Sequence, residues 1–162
     1  MKAESIIQYF AYGSNLKLSE MCGTCPSAVR LFRAMLPRHA LVFPRKSLIR
    51  HCGVAGVETS AVNSVWGGVY AIPEEEQSLL EAREGYRPGR PLSENSYFPQ
   101  EVTVYEDGDM QKPHRVLTFV ANRQPNTPLP SLEYRNLIVS GAKEWKLGAN
   151  YLAILENIQI AT

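Results

Sequence analysis

The stretch Ile6-Ile7-Gln8-Tyr9-Phe10-Ala11, running on into Tyr12-Gly13-Ser14-Asn15-Leu16, constrains this chain more than any other. Its apolar residues are nearly continuous, the pattern of a strand covered on both faces. Such a strand is a rigid base for the Gly-Ser-Asn turn that follows it. Leu16 to Met21 then reads as one or two helical turns, closed by Pro26. A strand-turn-helix junction of this kind bares backbone N–H groups at a helix start, where unpaired donors and the dipole favour an anion. The same junction, with Gly at the bend, also serves simply to redirect a chain, so the stretch by itself leaves both roles open.

The remaining elements follow in order. Ala40–Phe43 and Val54–Val57 read as strands joined by a polar, basic connection. Val65 to Ile72 is a further strand, in which Gly67-Gly68 marks a bulge or a close approach by another group. Pro73 opens a helix with Glu74, Glu75 and Glu76 in its first turn, where carboxylates complement the dipole. Leu79, Leu80 and Ala82 are its expected inward face, and Gly85 suits the left-handed terminating position. Glu84 lies on the last turn, where the dipole repels a carboxylate and raises its pKa. Tyr86 to Gln100, with Pro88, Gly89, Pro91 and Pro99, reads as an aperiodic lid or recognition loop over whatever Glu84 faces. Glu101–Tyr105 and Val116–Ala121 pair as a hairpin, and 122–130 is extended linker. Ser131 caps a helix carrying Tyr134, Leu137, Ile138, Gly141 and Trp145 at helical spacing, and a second helix after Gly148 presents Tyr151, Ile154, Leu155 and Ile158.

The totals exclude several classes of function. A chain of 162 residues reads as one domain, residues 1–162, able to bury roughly two-thirds of its unfolded surface. Seventeen Lys and Arg against sixteen Asp and Glu leave a net charge of +1, so no global field draws in nucleic acid or an anionic membrane. The one basic cluster, Arg45, Lys46, Arg50 and His51, reads as a solvated loop. No apolar run is long enough to span a bilayer, and Met1-Lys2-Ala3-Glu4 leads into a strand rather than a signal-peptide core, which predicts a cytoplasmic protein. Three cysteines argue against a disulfide framework. Cys22-Gly23-Thr24-Cys25 lacks the context of a redox motif, and a zinc site there would have to draw on His39, His51 or Cys52. Those histidines and His114 stand in no recognisable hydrolase context, so Ser14 is not read as a triad nucleophile.

The wording Tyr9-Phe10-Ala11-Tyr12-Gly13-Ser14-Asn15-Leu16 resembles the substrate-binding loop of the γ-glutamylcyclotransferase-like family. Four later stretches resemble that family in the right order: Cys25-Pro26-Ser27-Ala28 followed by Leu36-Pro37, Val65-Trp66-Gly67-Gly68-Val69-Tyr70, Leu80-Glu81-Ala82-Arg83-Glu84-Gly85, and Tyr134-Arg135 through Gly141-Ala142-Lys143-Glu144. The resemblance implies an α+β fold, a small, strongly curved mixed β-sheet or barrel of about six strands with packed helices. It implies an enzyme that cleaves a γ-glutamyl amide by attack of the substrate's own α-amine, releasing 5-oxoproline, with Glu84 as general base and acid and no metal or cofactor. Tyr9, Phe10, Ala11, Tyr12, Gly13, Ser14, Asn15 and Phe119 would bind the substrate. Phe119 stands where some family members have a tyrosine, which bears on substrate more than on reaction. The rival readings are a γ-glutamylamine or biosynthetic-intermediate cyclotransferase and a non-catalytic binding module. The expected partner is a small γ-glutamyl molecule, with no nucleic acid or membrane, and a homodimer is compatible with the sequence.

Overall fold

The computed structural model describes residues 5–162, so the reading of Met1–Glu4 lies outside them. Five strands close into a barrel: β1 (Ile6–Ala11), β2 (Val29–Ser47), β3 (Cys52–Pro73), β4 (Tyr97–Glu106) and β5 (Pro113–Ala121), in the spatial order β1-β3-β2-β4-β5. β1 runs antiparallel to β3 from Ile6↔Pro73 to Ala11↔Gly68, and a short parallel pairing of Tyr9 with Leu117 on β5 closes the barrel. Four helices pack around it: α1 (Leu18–Thr24), α2 (Gln77–Arg83), α3 (Leu132–Glu144) and α4 (Ala149–Glu156).

Five strands replace the six expected because Val54–Val57 and Val65–Ile72 belong to one element. β2 and β3 form a hairpin of 19 and 22 residues, whose pairing jumps from Pro37↔Ser64 to His39↔Thr59. Residues 60–63 bulge out there, with Val62 89% exposed and the Ser60 hydroxyl accepting from the Asn63 N–H at 3.2 Å. That polar bulge interrupts the alternation, which is why the sequence reads as two strands. Gly67 and Gly68 mark a close approach rather than a ligand: a Cβ would lie 2.1 Å from the Ala11 carbonyl oxygen at the first and 2.3 Å from the Trp145 ring at the second.

The helices depart from their expected faces in two places. α2 is only two turns long, so Leu80 alone is buried, while Leu79 is half exposed and Ala82 faces solvent. On α4, Tyr151 and Leu155 pack inward but Ile154 is exposed. The α3 face holds as expected through Tyr134, Ile138 and Gly141, and Ser131 caps it by accepting the Tyr134 N–H at 3.1 Å.

The aperiodic loop after Gly85 is shorter than its sequence suggests, because β4 begins at Tyr97. What precedes it is tied to one buried side chain. The Asn95 carbonyl oxygen accepts from the Arg87 N–H at 2.9 Å and from the Arg90 guanidinium at 2.6 Å, while its amide donates to the Pro91 carbonyl at 3.1 Å. Asn95 thus ties residues 87–91 of the expected lid or recognition loop to one another.

Candidate functional site

The site begins with the turn that β1 delivers. Ser14–Leu16 forms a single 3-10 turn, and α1 starts only at Leu18. The turn is clamped by one side chain from β3 and one from the end of α3. The Tyr70 hydroxyl donates to the Asn15 carbonyl at 2.8 Å, and the Trp145 indole donates to the Leu16 carbonyl at 2.8 Å. Trp145 reaches that carbonyl because Gly68 leaves room for its ring, and α3 lies close because Gly141 leaves room for the backbone of Leu16 and Lys17. Lys17 adds a hydrogen bond to Ser140 at 2.8 Å. With its carbonyls engaged from behind, the turn directs the N–H groups of Gly13, Ser14 and Asn15 elsewhere, and none of the three has an intramolecular partner among the described residues.

The three residues border a cavity of about 570 Å³, within the range typical of small-molecule sites. Tyr9, Tyr12, Gly13, Ser14, Asn15, Glu84 and Phe119 all line it. Phe10 and Ala11, which the family resemblance also assigns to substrate, do not. They are fully buried, the Phe10 ring lies against Gly67, and the Phe10 carbonyl accepts from the Thr118 hydroxyl at 2.9 Å. Strand alternation explains Phe10, since Tyr9 and Phe10 necessarily point to opposite faces, while the Ala11 methyl is buried in the core.

Glu84 reaches the cavity from the end of α2. Gly85, at φ +69°, ends the helix in the left-handed region that favours glycine, and Tyr86 N–H closes the cap on Glu81 at 2.9 Å. The Asn15 amide donates both to Glu84 Oε1 at 3.3 Å and to the Tyr9 hydroxyl at 3.2 Å, so one side chain of the turn orients the acid. The other oxygen, Oε2, has no intramolecular donor among the described residues. Burial pushes the Glu84 carboxyl up to about 7, against the opposing pull of the Arg83 charge and the Asn15 hydrogen bond. The pKa rises as expected, but burial dominates it, whereas the sequence suggested the helix dipole as the cause.

Two more tyrosines complete the walls. Tyr97 donates to the Ala55 carbonyl at 2.5 Å, and the Tyr134 hydroxyl accepts the Ala55 N–H at 2.9 Å, so both are fixed by one residue of β3. The Tyr134 oxygen is then free to donate its own proton into the cavity. Burial raises the pKa of Tyr9, Tyr12, Tyr97 and Tyr134, so all four remain neutral hydroxyl donors near neutral pH. Tyr12 spends its proton on the Phe119 carbonyl at 2.6 Å, and the Phe119 ring stands edge-on to Tyr9 at 6.1 Å. Phe119 therefore contributes an apolar surface where a tyrosine would add a donor.

Sequence reasoning missed Tyr97, Tyr134, Ala55 and the turn from Arg45 to Arg50, all of which line the cavity. Tyr97 was hidden in a stretch read as loop, and Tyr134 sits in a helical stripe that packing alone explains. The basic cluster was legible but was read as solvated loop. His51 is exposed and outside the lining, whereas Arg45, Lys46 and Arg50 stand at the cavity. Of the expected lid, only Gly85 before it and Ser96 and Tyr97 at its end touch the cavity.

The CxxC pair lies elsewhere, at the C-terminal end of α1. Burial raises the Cys25 thiol to about 11, the reverse of a reactive thiolate, and its sulfur faces the Glu76 carbonyl at 3.7 Å. Glu76 itself is buried and accepts the Ser27 N–H at 2.9 Å, which gives this acid of the helix start a structural task.

Residues 64–155, more than half of the chain, match the model of the AIG2-like family. A γ-glutamylcyclotransferase of Bos taurus is 32% identical over 155 residues, covering 93% of this chain and 78% of the bovine protein. The γ-glutamylcyclotransferase of Homo sapiens is 29% identical, covering 96% and 80% respectively. A solved γ-glutamyl cyclotransferase structure superposes with a TM-score of 0.85 at 26% identity, covering 97% of this chain and 90% of the other.

Proposed function

The chain belongs to the γ-glutamylcyclotransferase-like family, and on that premise we propose that its cavity folds a γ-glutamyl amide back on itself and releases 5-oxoproline. It is a cyclotransferase of the γ-glutamylcyclotransferase type, and the arrangement around Glu84 supports a specific course for the reaction. The substrate's α-amine attacks its own γ-carbonyl carbon, the new C–N bond closes a five-membered ring, and the old C–N bond breaks. One proton must leave the attacking amine and one must reach the departing nitrogen. No protein nucleophile, metal or cofactor enters that balance.

The observation that carries the reading is a buried carboxyl with its pKa near 7 beside free backbone donors. A group titrating near the working pH can accept the ammonium proton and return it to the leaving nitrogen, and such acid–base help is worth about 10²–10⁴-fold. Oε2, the oxygen not held by Asn15, is the one for the transfer. The N–H groups of Gly13, Ser14 and Asn15 suit the substrate α-carboxylate or the oxyanion that develops on the γ-carbonyl. Tyr9, Phe119 and the neutral tyrosines restrict the substrate to the folded conformer, and orientation of that kind can supply roughly 7 kcal/mol or more.

The test is release of 5-oxoproline from a panel of γ-glutamyl compounds by the wild-type protein and by Glu84→Gln. Gln keeps the shape and the Asn15 contact but cannot carry the proton, so kcat should fall about 10²–10⁴-fold while the fold persists. A Glu84→Gln protein that turns over like the wild type ends this assignment.

A further inference from the structure

Glu84 is carried by a helix too short to hold it alone. α2 has two turns, its N-cap residue Glu76 makes no side-chain cap, and Glu84 is already the C-cap. A helix of that length depends on what is bonded to its ends. The next carbonyl along the chain, that of Gly85, accepts twice: from the Ser96 N–H at 3.2 Å and from Arg90 Nη2 at 3.0 Å.

Arg90 is brought back to that carbonyl by its own loop. Gly89, at φ +83°, turns the chain in the left-handed region open to glycine. The guanidinium then grips one atom of a buried side chain, Asn95 Oδ1, through Nε at 2.9 Å and Nη2 at 2.6 Å. The backbone carbonyls of Asn95 and Leu92 accept the Asn122 side-chain amide at 2.7 and 2.6 Å, and the Asn122 N–H donates to the Ser96 carbonyl at 2.9 Å. Asn122 directly follows β5. A continuous set of hydrogen bonds therefore runs from the barrel through Asn95 and Arg90 to the residue after Glu84.

This arginine is not spent on charge. It forms no ion pair among the described residues, and the cation that acts on the Glu84 carboxylate is Arg83. The other groups that face the carboxyl are Asn15 and Tyr9, Tyr12 just after β1, Tyr97 from β4 and Tyr134 from α3, and the four tyrosines are neutral near pH 7.

Resting on the reading of Glu84 as the proton carrier, we infer that Arg90 is its positioning residue: the fork that joins Gly85 to Asn95 fixes the end of α2 and keeps the acid against Asn15 and out of water. Arg90 lines no part of the cavity, so it acts through the backbone and not on the substrate. Its removal orphans no buried acceptor. Asn95 Oδ1 still accepts the Arg87 N–H at 2.9 Å, and the Gly85 carbonyl still accepts the Ser96 N–H. Arg90→Ala should therefore fold with a urea midpoint close to that of the wild type, while the acid it held moves and hydrates.

The experiment has two readouts. The first is the titration of the Glu84 carboxyl by NMR without substrate, the signal being assigned by its loss in Glu84→Gln. Hydration favours the ionised form, so in Arg90→Ala the carboxyl should titrate below its value of about 7, by roughly half a pH unit or more. The second is turnover of whichever γ-glutamyl compound the wild type cleaves fastest. Misplacing the acid should lower kcat about 10–100-fold and leave KM within about twofold. An unmoved titration overturns the inference, and so does an unchanged kcat, because a merely structural arginine would alter the urea midpoint and neither of these. Should Arg90→Ala not fold, Arg90→Lys answers the same question, since it keeps the charge and the stem but not the planar fork. Both readouts should move in the same directions there, and wild-type values in that variant overturn the inference. A wild type that releases 5-oxoproline from no γ-glutamyl compound would instead overturn the cyclotransferase reading beneath it, while the titration still reports on Arg90.

Discussion

Replacing Glu84 by Gln should make this protein more stable while it becomes inactive, and the size of the gain follows from the site. A glutamate carboxyl with an ordinary value of 4.5 is pushed up to about 7 in the folded protein by burial. Between those two values the folded state holds a proton that the unfolded chain has released, so stability falls as pH rises through the interval. Below it both states are protonated and nothing is lost. Above it the full cost of ionising a buried acid applies, about 3 kcal/mol at 1.36 kcal/mol per pH unit. Gln is neutral throughout and its oxygen can still accept the Asn15 amide, so the variant escapes that cost. Urea titrations followed by tryptophan fluorescence at pH 5 and pH 8 measure it directly. The variant should exceed the wild type by up to about 3 kcal/mol at pH 8, roughly 6–12 °C in Tm for a chain of this size, and most of the gap should close at pH 5. A gap of the same size at both pH values, or a variant less stable at pH 8, refutes the claim that burial of Glu84 sets its proton affinity. Stability withheld for activity is a familiar exchange at working sites.

Three other perturbations separate the parts of the site. Asn15→Ala removes the hydrogen bond that favours the ionised acid, so the acid limb of kcat/KM, centred near 7 in the wild type, should move to higher pH; an unmoved limb would mean that Asn15 does not touch the titrating group. Gly68→Ala sets a methyl 2.3 Å from the Trp145 ring, and overpacking of that kind should cost about 1–3 kcal/mol by denaturant titration and lower kcat/KM by freeing the Leu16 carbonyl. Glu76→Ala leaves the Ser27 N–H without its buried acceptor and should destabilise by about 1–3 kcal/mol, with kcat/KM of the folded protein unchanged. An activity loss in Glu76→Ala as large as in Glu84→Gln would mean that the helix-start acids take part in chemistry.

How much of this was legible in the sequence depends on whether a feature is local. The Gly-Ser-Asn turn, the Gly85 terminator and the Ser131 cap each rest on a few neighbouring residues and formed where the sequence put them, and the β4–β5 hairpin formed too, with both strands longer than read. Glu84 stood out because it sat against the helix dipole, although burial, which no local window reveals, proved the stronger cause. The misses share one origin in long-range contact. The polar bulge at Ser60–Asn63 split a single strand in the reading, Tyr97 joined the cavity only because β4 starts early, and Arg45 and Arg50 became cavity residues through the bend between β2 and β3. Phe10 shows the converse, since a motif read as a unit still alternates faces once it is a strand.

The hydrogen bonds that hold β1 and the turn after it join residues far apart in the chain: Tyr12 with Phe119, Phe10 with Thr118, and Leu16 with Trp145. During synthesis this segment therefore emerges long before its fasteners, and must wait for the 129 residues that separate Leu16 from Trp145 before its donors can be aimed. Activity should consequently arrive in a single late step, and a nascent chain stopped short of Trp145 would hold every motif of the turn without being able to use it.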